Sequence, residues 1–108
     1  YSASKGALEA LTRQAAADLG QFGIRCNALQ LGRIKTPDSR AHHDPDPEME
    51  SAFRDMVMTP EFGDEHAVGG CVAFLASDDA AYITGETLRL DGGASVKTHI
   101  PRPPRRTA

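Results

Sequence analysis

The first five residues, Tyr1-Ser2-Ala3-Ser4-Lys5, set a phenol and an ammonium four positions apart and run straight into the helical pattern KGALEALTRQAAADLG. On a helix that spacing stacks the two side chains on one face. An ordinary phenol gives up its proton near pH 10, so a phenol that donates and accepts protons at neutral pH needs its anion stabilised by about 4 kcal/mol. One ammonium about 4 Å away supplies roughly that much at an effective dielectric near 20. Tyr1 and Lys5 therefore suffice, in type and spacing, for a general acid/base. Taken alone, Tyr-x-x-x-Lys is also a common chance pairing on a wet helix face, so its chemistry rests on what accompanies it.

Two further groups have residue types that could bind or react. Leu31-Gly32-Arg33-Ile34-Lys35-Thr36-Pro37 follows an apolar run that reads as a strand. Ligands of open α/β sheets bind beyond the carboxyl ends of strands, where a glycine permits close backbone approach and a threonine offers a hydroxyl. His42-His43-Asp44-Pro45-Asp46 has metal-ligating types. Adjacent histidines on a proline-broken loop rarely converge on one ion, so no metal site is expected there.

The elements that must position these groups follow from periodicity. A first helix is expected from about Ser2 to Phe22, stopped at Gly23, with Leu8, Leu11, Ala15, Leu19 and Phe22 as the stripe that packs on a sheet. Ala3, Ala7, Ala10 and Ala17 form a second, small-residue stripe suited to close approach of another helix, and Glu9 and Arg13 the wet edge. Ile24 to Leu31 reads as a mostly buried strand. From Gly32 to about Asp46 no periodicity survives, and Pro37, Pro45 and Pro47 disfavour regular structure. A short helix over Glu48 to Val57 comes next, with Met49, Phe53, Met56 and Val57 on one side. Asp64 is a good N-cap for a helix over Glu65 to Ser77, with Val68, Cys71, Val72 and Leu75 inward. Gly69 and Gly70 within it each cost about 1 kcal/mol relative to Ala. The segment from Ala80 to Gly85 turns, and Glu86 to Asp91 is a strand. Strand, helix, strand implies a right-handed parallel crossover.

Composition sets the frame. The chain has 108 residues, 40% of them hydrophobic, does not begin with Met, and contains neither an apolar run of membrane-spanning length nor a signal-peptide pattern. A soluble, cytoplasmic protein with no membrane partner is expected. Cys26 and Cys71 lie in apolar periodic contexts and read as two buried free thiols of a reducing compartment. The formal charge of −3 conceals a basic end: Lys97, Arg102, Arg105 and Arg106 leave eight basic against fifteen acidic side chains in the first 96 residues, or −7. An acidic body disfavours nucleic acid as a partner. The Pro-rich segment 97–108 is expected to be disordered.

Three blocks in order, YSASKGALEALT, GIRCNALQLGRIKTP and VAFLASDDAAYITGETLRLDGG, together resemble the C-terminal half of the classical short-chain dehydrogenase/reductases. The resemblance implies an α/β fold, the C-terminal part of a Rossmann-like doubly wound parallel sheet, with residues 1–96 as half of a dinucleotide-binding domain and about 38–59 as a flap over the substrate. It implies an alcohol–ketone oxidoreductase using NAD or NADP. Tyr1 would be the acid/base, and Lys5 would hold the cofactor ribose and favour the phenolate. Gly32, the main chain at Ile34, and Thr36 would meet the nicotinamide end of the cofactor. Leu31 stands where the family pattern has a proline, which makes that loop less rigid. The family's catalytic serine and its glycine-rich turn would lie upstream of Tyr1, so the chain reads as a fragment, inactive alone. A homodimer or homotetramer is implied, assembled through the small-residue face of the first helix. A cofactor sensor without catalysis and an oligomerisation module are the alternatives; keeping both Tyr1 and Lys5 argues against the sensor.

Overall fold

The computed structural model describes residues 1–38 and 46–97. His42, His43, Asp44 and Pro45 lie outside them, as does the tail beyond Lys97. The element order is α1 (Ser2–Leu19), β1 (Ala28–Leu31), β2 (Ile34–Lys35), α2 (Pro47–Met56), β3 (Gly63–Asp64), α3 (Glu65–Ala76) and β4 (Thr87–Leu90). β1 and β4 pair in parallel, in register from Ala28↔Thr87 to Leu31↔Leu90. Parallel neighbours need a crossover, and the chain through α2 and α3 supplies it. The expected α/β order and parallel pair are thus present.

α1 stops three residues earlier than expected. Gly20–Phe22 tightens into a 3-10 turn, and Gly23 closes it in the left-handed conformation at φ 72°. A residue with a Cβ is strained there. The inward face of α1 also differs from the expected stripe. Thr12 and Ala16 are its buried residues, while Leu8, Leu11 and Phe22 are 53%, 61% and 69% exposed. Ala3, Ala7, Ala10 and Ala17 are exposed as well. Thr12 satisfies its hydroxyl by donating to the Leu8 carbonyl at 2.9 Å, so a polar residue can sit inside without an unpaired donor. A two-stranded sheet is too narrow to cover the leucine stripe too.

β1 is half the expected strand. Residues Ile24 to Asn27 run beside the turn before β4, where Gly85 at φ 74° interrupts the partner chain. Irregular bonds replace the ladder: Cys26 donates its amide to Thr84 Oγ1 at 3.1 Å, Gly85 donates to the Cys26 carbonyl at 2.7 Å, and Asn27 Nδ2 donates to the Ile83 carbonyl at 3.0 Å. Regular pairing starts at Ala28, whose amide donates to the Glu86 carbonyl at 2.9 Å.

α2 begins on Pro47, whose missing N–H costs nothing in the first turn. Asp46 caps it, accepting from the Glu48 amide at 3.1 Å. Its inward face carries Glu50, Phe53 and Arg54, whereas Met49 and Met56 are 55% and 53% exposed. Asp64 caps α3 as expected, accepting from the amides of His66 and Ala67, both at 3.1 Å. Val68, Cys71 and Leu75 are half-buried, but Val72 is 52% exposed. Among the described residues the buried apolar core consists of Ala16, Val57 and Ala80, and no large side chain is fully enclosed. Cys26 and Cys71 are free and half-buried rather than buried.

Candidate functional site

Tyr1 forms the N-terminal boundary of α1. Its carbonyl accepts the Ser4 hydroxyl at 2.7 Å and the Lys5 amide at 3.1 Å. These bonds fix the backbone of the first turn and leave the phenol outside, 94% exposed. Lys5 Nζ lies 5.3 Å from the centroid of the Tyr1 ring, within the ~6 Å range of a cation–π contact. The helical spacing therefore joins the pair as expected, with the ammonium over the ring face. Water surrounds both groups, and water screens such an interaction to a small effect. Its electrostatic strength would grow only under a cover that excludes solvent.

α1 carries this pair away from its contact with the turn before β4. A Cβ at Gly85, just before β4, would lie 3.5 Å from Ala16 Cβ, so the middle of the helix sits beside the amino end of the strands. The chain then reverses at Gly23. From Ala16 back to Tyr1 the helix rises about 22 Å, whereas four-residue strands extend only about 13 Å. Tyr1 thus lies farther along α1 from that contact than either strand is long.

Gly32 lies at the carboxyl end of β1. Its amide donates to the Leu90 carbonyl at 2.8 Å. A Cβ there would stand 2.7 Å from Asp91 Cα and 2.8 Å from Asp91 Cβ, so this position has room for glycine alone. Asp91 is itself held in place: Oδ1 accepts from the Gly93 amide at 2.9 Å and Oδ2 from the Ser95 amide at 3.0 Å. Hydrogen bonds from the Ser95 side chain and amide, then from the Gly93 amide, hold the Asp91 carboxyl below the usual carboxylate range. Gly92 and Gly93 complete the turn at φ 61° and 82°, and Met58 donates its amide to the Gly92 carbonyl at 2.7 Å.

Ile34 belongs to β2, a two-residue strand in a stretch where no regular structure was expected. It pairs in parallel with β3 in the register Ile34↔Gly63 and Lys35↔Asp64. A Cβ on Gly63 would lie 2.9 Å from Ile34 Cδ1, so the glycine makes room for that side chain. Thr36 follows directly, half-buried. Arg33, Ile34, Val57, Phe62, Cys71 and Leu90 help line a largely apolar cleft of about 310 Å³ beside this loop.

Sequence reasoning missed the residues that hold the loop. Asp91, Gly92 and Gly93 shape the ground beneath Gly32, and the DGG run was a visible turn signal. Glu50, Phe53 and Arg54 from α2 and Phe62, the residue before β3, surround Arg33 and Lys35, and only the i, i+3, i+4 spacing of the three helix residues could have suggested it. Among the described residues no group of three or more His, Cys, Asp or Glu is placed to hold a metal ion, and no helix is long and apolar enough to cross a membrane.

Parallel strands with a glycine loop at their carboxyl end describe a class of nucleotide-binding α/β proteins, and this chain also carries the Tyr–Lys pair on a helix. A family model described as enoyl-(acyl carrier protein) reductase matches residues 1–95. The chain is 41% identical over 96 residues to the 7alpha-hydroxysteroid dehydrogenase of Bacteroides fragilis, covering 89% of this chain and 36% of that one. It superposes with a TM-score of 0.81 and 30% identity on a short-chain type dehydrogenase/reductase from Mycobacterium ulcerans, covering 90% and 35% of the two chains. A 4-hydroxyisoleucine dehydrogenase mutant complexed with NADH and succinate gives a TM-score of 0.81 at 30% identity, covering 90% and 40%. The chain belongs to the short-chain dehydrogenase/reductase family. It spans little more than a third of the length of these relatives.

Proposed function

We propose that the chain is the catalytic carboxyl-terminal part of an NAD(P)-dependent oxidoreductase that interconverts an alcohol and a ketone. The observation that carries this reading is the Lys5 ammonium 5.3 Å from the Tyr1 ring centroid, in a chain whose Gly32 opens the loop at the carboxyl end of β1. In this reading residues 1–96 form half of a dinucleotide-binding domain, about 38–59 form a flap over the substrate, and 97–108 are a basic tail.

The residues present fit the nicotinamide end of a dinucleotide. Gly32 keeps the main chain close-packed on Asp91, the backbone at Ile34 would meet the carboxamide, and the Thr36 hydroxyl would add a contact. Lys5 would hold the ribose hydroxyls with its ammonium. The bound dinucleotide would supply or accept the hydride. Tyr1 would handle the proton: Oη gives it to the carbonyl oxygen in reduction and takes it from the hydroxyl in oxidation. The Lys5 charge favours the phenolate once water is excluded. The 108 residues contain no Gly-x-Gly-x-x-Gly turn to cradle a pyrophosphate, so the chain alone is inactive.

The leucine and alanine faces of α1 suit cover by the rest of the domain and by a second copy, giving a homodimer or homotetramer. Two free thiols, Cys26 and Cys71, suit a reducing, cytoplasmic setting. The test is Tyr1→Phe in the whole dehydrogenase, followed by the absorbance of reduced nicotinamide across a panel of alcohols and ketones. Turnover should fall by about 10²–10⁴-fold, with dinucleotide affinity within a few-fold of the parent. A Phe variant that kept more than about a tenth of kcat would remove Tyr1 from the role of acid/base.

A further inference from the structure

The ladder between β1 and β4 closes at Leu31↔Leu90, and one further bond runs from the Gly32 amide to the Leu90 carbonyl at 2.8 Å. The next contact is packing, with Gly32 set against the main chain and Cβ of Asp91. Gly92 and Gly93 follow, both at positive φ. Two successive glycines lose more freedom on ordering than any other pair, so their conformation has to be selected by bonds. The Asp91 carboxylate supplies them: Oδ1 accepts from the Gly93 amide at 2.9 Å and Oδ2 from the Ser95 amide at 3.0 Å. The Ser95 hydroxyl is a third donor to the same carboxylate. The Asp91 carbonyl accepts from the Ala94 amide at 3.1 Å, and the Met58 amide braces the turn from outside through the Gly92 carbonyl. Residues 92–95 are thus wrapped around one side chain, and the residue that bears it is the one Gly32 rests on.

We propose that Asp91 is a positioning residue for the nicotinamide end of the cofactor: by folding residues 92–95 onto its carboxylate it fixes the end of β4, and with it the place from which Gly32 starts the loop to Thr36. This rests on the reading above, in which the Ile34 main chain and the Thr36 hydroxyl meet the cofactor. The physical basis is that a short loop takes its position from its two supports. One is the two-residue pairing of Ile34 and Lys35 with Gly63 and Asp64. The other is the seat of Gly32 on Asp91. An ionised carboxylate suits that seat because both of its oxygens accept, whereas an amide in its place would turn an N–H toward one of the two backbone donors.

The experiment compares the affinity of the whole protein for NADH with that for ADP-ribose, which lacks the nicotinamide, and runs NADPH beside 2′-phospho-ADP-ribose in parallel. Calorimetry reads both in the parent, Asp91→Asn and Asp91→Ala. In Asp91→Ala the dinucleotide should bind about tenfold more weakly, the scale of one hydrogen bond, while the nicotinamide-free ligand stays within about twofold. Asp91→Asn keeps one acceptor and should fall between parent and Asp91→Ala. A merely structural role would weaken both ligands alike; that result, or an unchanged ratio of the two affinities, would overturn the proposal. Amide exchange judges the same point without a ligand. In Asp91→Ala residues 32–36 should exchange about tenfold faster together with 93–96. Ser95→Ala, which removes only the hydroxyl donor, should move both segments the same way by less, and this arm does not depend on how Asp91→Ala folds. Faster exchange confined to 93–96 would show that the carboxylate holds its own turn and not the loop, which also overturns the proposal. A protein that binds no dinucleotide would refute the functional reading, while the seat of Gly32 is decided by exchange alone.

Discussion

Two parts of this molecule carry candidate chemistry, and they are built differently. The first turn of α1 holds Tyr1 and Lys5 by backbone bonds alone, with the Tyr1 side chain 94% exposed. The corner formed by Gly32, β2, α2 and β3 is held on every side by its own chain, through the Asp91 turn, the Ile34↔Gly63 ladder and the Glu50 ion pairs. The contrast separates shape from reactivity. The loop that would meet a cofactor takes its geometry from within these residues, whereas the Tyr–Lys pair has position but no surroundings to make its charge count. A cation–π pair in water contributes about 0.5–1 kcal/mol, and more when desolvated. In the proposed reading the pair would act as an acid/base only when something covers it.

The largest effect is expected at Gly32. Gly32→Val would drive a branched side chain into the Asp91 backbone, where even a Cβ would stand 2.7 Å from Cα. The clash is with backbone, so relief requires separating the ends of β1 and β4. A loss of about 3 kcal/mol, the upper end for overpacked sites, is expected as a lowered denaturation midpoint. An unchanged midpoint would mean that the corner is not self-built.

A smaller effect is expected on the exposed side of the comparison. Lys5→Met keeps most of the stem and removes the charge that lies over the Tyr1 ring. A hydrogen bond to a charged group contributes about 1.5–3 kcal/mol, so in the proposed reading dinucleotide affinity of the whole protein should weaken by about tenfold or more, read by calorimetry. Folding stability should move by less than about 0.5 kcal/mol, as for other exposed positions. A large loss of stability with intact affinity would assign Lys5 to the fold instead.

Much of this architecture was legible from local chemistry. Gly23 as a left-handed stop, Asp64 as an N-cap and the parallel pairing of the strands ending near Leu31 and Leu90 all follow from residue type and period, because each is a short-range preference. The Tyr1–Lys5 contact follows from helical spacing for the same reason. What was not legible depends on distant partners. The leucine stripe of α1 is its most apolar face, yet Thr12 and Ala16 face inward, since the neighbour at that point is the Gly85 turn and it accepts only a small side chain. β2 and β3 are two residues each, too short for any period to register. Glu50 and Arg54 belong by type on a wet surface. They turn inward because Arg33, Lys35 and Phe62 await them, and that pairing joins residues well separated in the chain.

In the proposed reading these residues supply the proton-handling pair and the nicotinamide side of the pocket, while the hold on the cofactor's charged pyrophosphate comes from elsewhere in the family fold. Titrating the 108-residue chain with NADH and with NADPH, followed by calorimetry, tests this directly. The expected result is no saturable binding up to about 100 µM, the concentration equivalent to roughly −5.5 kcal/mol. A dissociation constant below that value would contradict the claim, because it would put the cofactor's main binding energy in these residues.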